Sequence, residues 1–222
     1  MPSMSMPWMR MPGETWLGAT LSFLGMWLLM MAAMMLPSLA PSLVRHARAA
    51  PMRGKCRAAA GTVLFGAGYF AVWAAMGLII FPCGVAIAWI VVHRPALERA
   101  LPAVISLVVL LAGALQFTEW KAHQLECSRE WPWPDHPLRS TLTTSWKHGV
   151  KLGLHCSYCC LGMTAVLLAT GFMELRSMAL ITAAITAERI APSPRLAARL
   201  IGAALVATAL ALFARANGVW GQ

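Results

Sequence analysis

Lys151–Met173 reads KLGLHCSYCCLGMTAVLLATGFM, an apolar run of the length that forms a membrane-spanning helix. Three of the chain's six cysteines, Cys156, Cys159 and Cys160, lie in it beside His155. On a helix Cys156 stacks with Cys159 and with Cys160, three and four residues on, and His155 stacks with Cys159. His155 and Cys156 diverge by about 100° around the axis, so an ideal helix cannot aim all four groups at one ion.

Composition extends the reading to the whole chain. Of 222 residues 59% are hydrophobic and 12% charged, with a mean hydropathy of +0.66. A soluble domain carries about 25% charged residues. The sequence therefore predicts an all-α, polytopic helical membrane protein of about six transmembrane helices, a single integral membrane domain over residues 1–222. The expected spans are about 16–44, 61–81, 101–120, 151–171, 174–190 and 196–214, with basic cytoplasmic loops at 45–60 and 121–150. No stretch remains for a soluble catalytic domain. The net charge of +10 fits loops that fix membrane orientation, so no nucleic-acid partner is expected. Cysteines inside or beside apolar segments do not form the framework of a small secreted domain. No cleavable signal is visible in the first residues.

In chain order, the first residues carry two Met-x-Met pairs, Met4/Met6 and Met9/Met11. The first span places Met26, Met30 and Met34 at four-residue steps, with Met31 and Met35 beside them, a methionine stripe on one helical face. Pro37 and Pro41 are expected to kink or end it. Arg45–Arg57 reads as a basic loop containing Cys56, and Pro82 as a break followed by a short interfacial helix. Cys83 reads as a packing residue. The third span ends on Gln116, Glu119 and Lys121, and His123 and Cys127 follow four residues apart. A tight turn at Gly171–Glu174 makes a hairpin of the next two spans, with Glu174 as a cap. Glu119 is expected to pair with Lys121 or Lys151, and Glu188 with Arg189 or a basic residue of a neighbouring loop.

Basic residues give the orientation. Thirteen of the eighteen Lys and Arg fall on one side when the termini lie outside, so both termini are predicted outside and the cysteine cluster toward the cytoplasm.

Thiolates and imidazole are soft ligands that suit copper(I) and zinc. A metal site would draw on Cys156, Cys159, Cys160 and His155, completed from another helix by His123, Cys127, Glu119 or the methionines Met30 and Met34. Copper(I) is the first expectation and zinc the second. No ATP-binding motif is present, which excludes a pump. Cys156-Ser157-Tyr158-Cys159 is also a Cys-x-x-Cys spacing, so a membrane thiol–disulfide protein is one alternative. A structural subunit of a larger membrane complex, with the cysteines as small fillers, is the other. Nothing beyond the Cys-x-x-Cys suggests an enzyme.

Several segments together resemble a known family: MWLLMMAAMMLPSLAPSL, GYFAVWA, QFTEWK, HCSYCC and GFMELRSMALITAAITAERIAP. This is an uncharacterised bacterial family described as predicted metal-binding integral membrane proteins, and the resemblance runs from about Met9 to Pro192. It implies a multi-pass protein of the bacterial cytoplasmic (inner) membrane that contacts the lipid bilayer. It also implies metal handling, or metal delivery to a membrane protein partner. Members carry one more span before the methionine-rich segment, so the chain is expected to be short at its N-terminus. Many also have a second cysteine near Cys127, where this chain has Ser128 and His123.

Overall fold

The computed structural model describes residues 13, 15–49, 55–129, 142–171 and 175–216. Its regular structure is entirely helical: α1 (Trp16–Ala49), α2 (Lys55–His93), α3 (Pro95–Leu115), α4 (Glu119–Arg129), α5 (Leu142–Thr170), α6 (Leu175–Ile190) and α7 (Pro194–Ala216). Among the described residues, four helices are long and apolar enough to cross a membrane, or five if the bent α3–α4 pair counts as one span. The sequence had suggested about six. The sixteen-residue α6 falls short of the roughly 20 residues a crossing takes.

The helices outrun several expected boundaries. Pro37 and Pro41 lie inside α1 and Pro82 inside α2, so neither ends nor breaks its helix. A proline removes one ladder hydrogen bond, and apolar residues with no stop signal continue the helix past Pro82. The expected basic loop at 45–60 is largely the end of α1 and the start of α2, and the loop at 121–150 is largely α4 and the first turns of α5. The expected third span divides: α3 stops at Leu115, and α4 leaves at 67°. The cause is local. The Thr118 hydroxyl donates to the Leu115 carbonyl at 2.7 Å and accepts from the Lys121 amide at 3.3 Å, capping α4, whose first residue is the acidic Glu119. The expected Glu174 cap lies outside the described residues; Gly171, before it, has φ +104°, open to glycine without strain.

The chain forms two compact units, each built from separated segments. The first comprises residues 1–85 and 130–158, the second residues 86–129 and 159–222. In the first, α1 runs antiparallel to α2. The Phe23 and Phe81 rings sit 5.0 Å apart, and the Trp27 indole donates to the Trp73 carbonyl at 2.9 Å. Gly77 makes room for the Trp27 indole, which a Cβ would meet at 2.7 Å. The first half of α5 lies parallel to α2. A Cβ on Gly149 would strike the Phe65 carbonyl, and one on Gly153 would come within 2.9 Å of the Tyr69 carbonyl. Small residues at four-residue spacing let two apolar helices approach this closely.

In the second unit α3 and α7 cross at Gly113 and Gly202, each glycine's Cβ position lying 3.1 Å from the other's carbonyl oxygen. The buried face of α6 is Ile181, Ile185 and Glu188, at helical spacing. Leu125 of α4, Cys159 of α5 and Ala198 of α7 form a small buried cluster.

Candidate functional site

Helix α5 supplies thiols to both units: Cys156 to the first, Cys159 and Cys160 to the second. All three are buried, Cys156 fully. In the first unit the Tyr69 hydroxyl donates to Cys156 Sγ at 3.0 Å. Four residues on from Tyr69, Trp73 is also fully buried, and its indole N–H has no hydrogen-bond partner among the described residues. The methionine stripe of α1 belongs to this unit too. Met30, Met31, Met34 and Met35 are buried, on the face that carries Phe23 and Trp27 toward α2. The stripe therefore packs inward, as a helical repeat of apolar residues should.

In the second unit a polar network runs through the core. Lys121 and Glu188 are 5% and 2% exposed, and Lys121 Nζ lies 2.9 Å from Glu188 Oε2. Gln116 Nε2 donates to Glu188 Oε1 at 2.8 Å, and Lys121 Nζ donates to the Cys159 carbonyl at 2.7 Å. One ammonium thus ties α4 to α6 and to the turn of α5 that holds the Cys159 and Cys160 thiols. The sequence suggested that Glu188 needs a cationic partner, and Lys121 is that partner, within a helix rather than a loop. It did not suggest that Lys121 would also bind the backbone beside Cys159. The available signal was two opposite charges in apolar surroundings, where each charge is costly alone.

Glu119 does not pair with Lys121; it is exposed and lines a shallow cleft with Gln116, Arg195 and Arg199. His123 is exposed, and His155 is partly buried. The Cys127 side chain lies outside the described residues, although its backbone belongs to α4. Among the described residues, no three His, Cys, Asp or Glu side chains gather as a metal would require. What the fold does collect is sulfur: among the described residues, one thiol and four thioethers are buried in the first unit, and two thiols with the Met163 thioether in the second. Thiolate and thioether select copper(I) over harder ions.

A family model described as "PpoB2: Copper chaperone" matches residues 24–212. That stretch includes the methionine stripe, Tyr69, Lys121, the cysteine cluster and Glu188. No curated protein and no solved structure matches the chain.

Proposed function

The chain belongs to the PpoB2 copper-chaperone family, and from that premise we propose that it is a membrane-embedded chaperone for copper(I). Copper is its cargo. It is held on buried sulfur and passed to a partner protein in or at the bacterial inner membrane. The observation that carries this reading is the burial of Cys156, Cys159 and Cys160 within five residues of one apolar helix, in a chain whose family is named for copper. Sulfur donors favour copper(I) over zinc here, since buried thioethers add to the thiolates. Each thiol that takes the metal loses its proton to solvent or partner as the copper–sulfur bond forms.

Membrane embedding is supported by the outward faces of the long helices. Leu17, Leu21 and Leu29 of α1, Leu78, Ile79 and Ile87 of α2, and Leu200 and Leu210 of α7 are all exposed. In water such faces would be a large aggregation-prone surface; in lipid they are the expected exterior. A membrane location also suits a carrier of a metal that must be shielded from water and oxidants.

The test is elemental analysis of detergent-purified protein prepared under reducing conditions, beside a variant with Cys156, Cys159 and Cys160 changed to Ser. Close to one copper per chain in the wild type and none in the variant, both extracted from carbonate-washed membranes, is the expected result. A wild type that stays free of copper after reconstitution with copper(I) refutes the reading.

A further inference from the structure

We infer that the copper(I) site of the first unit consists of the Cys156 thiolate and thioethers of Met31, Met34 and Met35, with the Tyr69 hydroxyl hydrogen-bonded to the thiolate. The inference deepens the copper reading and rests on it. It names one ligand set and leaves Cys159 and Cys160 outside it.

The argument is one of register. Helices α1 and α2 are antiparallel, with Phe23 against Phe81 and Trp27 against both Trp73 and Gly77. Continued along the same pair of helices, this register sets Tyr69 level with the turn from Met31 to Met35. Met31, Met34 and Met35 follow Trp27 at four, seven and eight residues, so they share the α1 face that meets α2. All three are buried. Tyr69 in turn reaches Cys156 on α5 at 3.0 Å. Thiol and thioethers therefore occupy one layer of one unit, brought there by three helices.

Chemistry narrows the choice further. Methionine is a flexible thioether that rearranges around a guest at little cost. A thiolate with thioethers is a soft donor set that suits a monovalent soft cation and carries one compensating negative charge. The buried, unpartnered Trp73 indole lies one turn from Tyr69 on the same face of α2. It offers the thiolate a second donor or the cation an aromatic face. Cys159 and Cys160 differ in setting: they belong to the second unit, where the Lys121 ammonium, paired with Glu188, sits on the Cys159 carbonyl.

The test uses the full chain in detergent, loaded with copper(I) under reducing conditions. Copper per chain and the copper–thiolate absorption band are read for the wild type, Cys156→Ser, Met31→Leu/Met34→Leu/Met35→Leu, and Cys159→Ser/Cys160→Ser. Leucine nearly conserves methionine volume, so the triple variant keeps its packing. The assignment expects the first two variants to lose copper and Cys159→Ser/Cys160→Ser to keep it. Tyr69→Phe should shift the absorption band and weaken affinity by about tenfold, as loss of an outer-shell hydrogen bond does. Selenomethionine in the otherwise wild-type chain should give copper–selenium scattering at the copper absorption edge, a signal that misfolding cannot produce. Copper retained by Cys156→Ser or by the methionine variant, or no selenium scattering, overturns the assignment while leaving the copper reading intact. A wild type that takes up no copper overturns both.

Discussion

Removing Lys121 should be among the most damaging single changes in the second unit. In Lys121→Met the Glu188 carboxylate keeps its bond from Gln116 but loses the ammonium at 2.9 Å. With Glu188 2% exposed, water cannot replace the ammonium. At that separation and an effective dielectric of about 20 the lost attraction is roughly 6 kcal/mol, part of which had offset desolvation of the lysine. The net cost of a buried charge left without its partner is about 3–5 kcal/mol. For a chain of this size that lowers Tm by roughly 6–20 °C. Thermal unfolding of detergent-purified protein, followed by circular dichroism, measures it. Adding Glu188→Gln to Lys121→Met should restore much of the loss, because the uncompensated charge disappears while an acceptor for Gln116 remains. A coupling of about 2–3 kcal/mol in the double-mutant cycle is expected. If Lys121→Met melts within about 2 °C of wild type, or the second substitution restores nothing, the network does not hold the unit as described.

Gly149→Ala places a methyl group against the Phe65 backbone, which has no soft atom to yield, and should cost about 1–3 kcal/mol or more in the same melting assay. Gly25→Ala, on α1 with nothing within 4 Å of its Cβ position, should instead stabilise by about 0.5–1 kcal/mol. Gly113→Val should be as harmful as Gly149→Ala, because Gly202 and Val206 of α7 already fill the space. In folded, detergent-solubilised protein a small apolar maleimide should modify the exposed Cys83 ahead of the buried Cys156, Cys159 and Cys160, which should react only on unfolding, as peptide mapping after timed labelling would show.

The helical class was plain from composition, because 12% charged residues leave few ways to fold except with apolar helices. The methionine stripe was legible as one face, since a period near 3.6 survives any choice of partner. Helix ends were less legible. Pro37 and Pro41 were read as kinking or ending their helix and Pro82 as a break, yet all three lie inside continuous helices, where the surrounding helical sequence outweighs one missing hydrogen bond. The break that does occur, after Leu115, is set by Thr118 and Glu119, a capping pair hidden inside an apolar run. The cysteine cluster was visible, but its partners were not. Which helix faces Cys156 depends on the parallel packing of α2 and α5, and only the small residues at Gly149 and Gly153 hinted at a close neighbour. The pairing of Lys121 with Glu188 joins residues too distant in sequence for any local rule to connect.

The interleaving of the two units has a consequence for biosynthesis. Tyr69 and Cys156 are 87 residues apart in the chain, and residues 86–129 of the other unit are made between them. At about 5–20 residues per second the ribosome takes roughly 4–17 s to cover that interval. For those seconds α1 and α2 exist as a hairpin whose glycine-bearing side awaits a helix not yet synthesised. Neither unit corresponds to a continuous piece of the polypeptide, so no single truncation yields one without damaging the other. The last step in completing the first unit is the arrival of the helix that also brings the thiols.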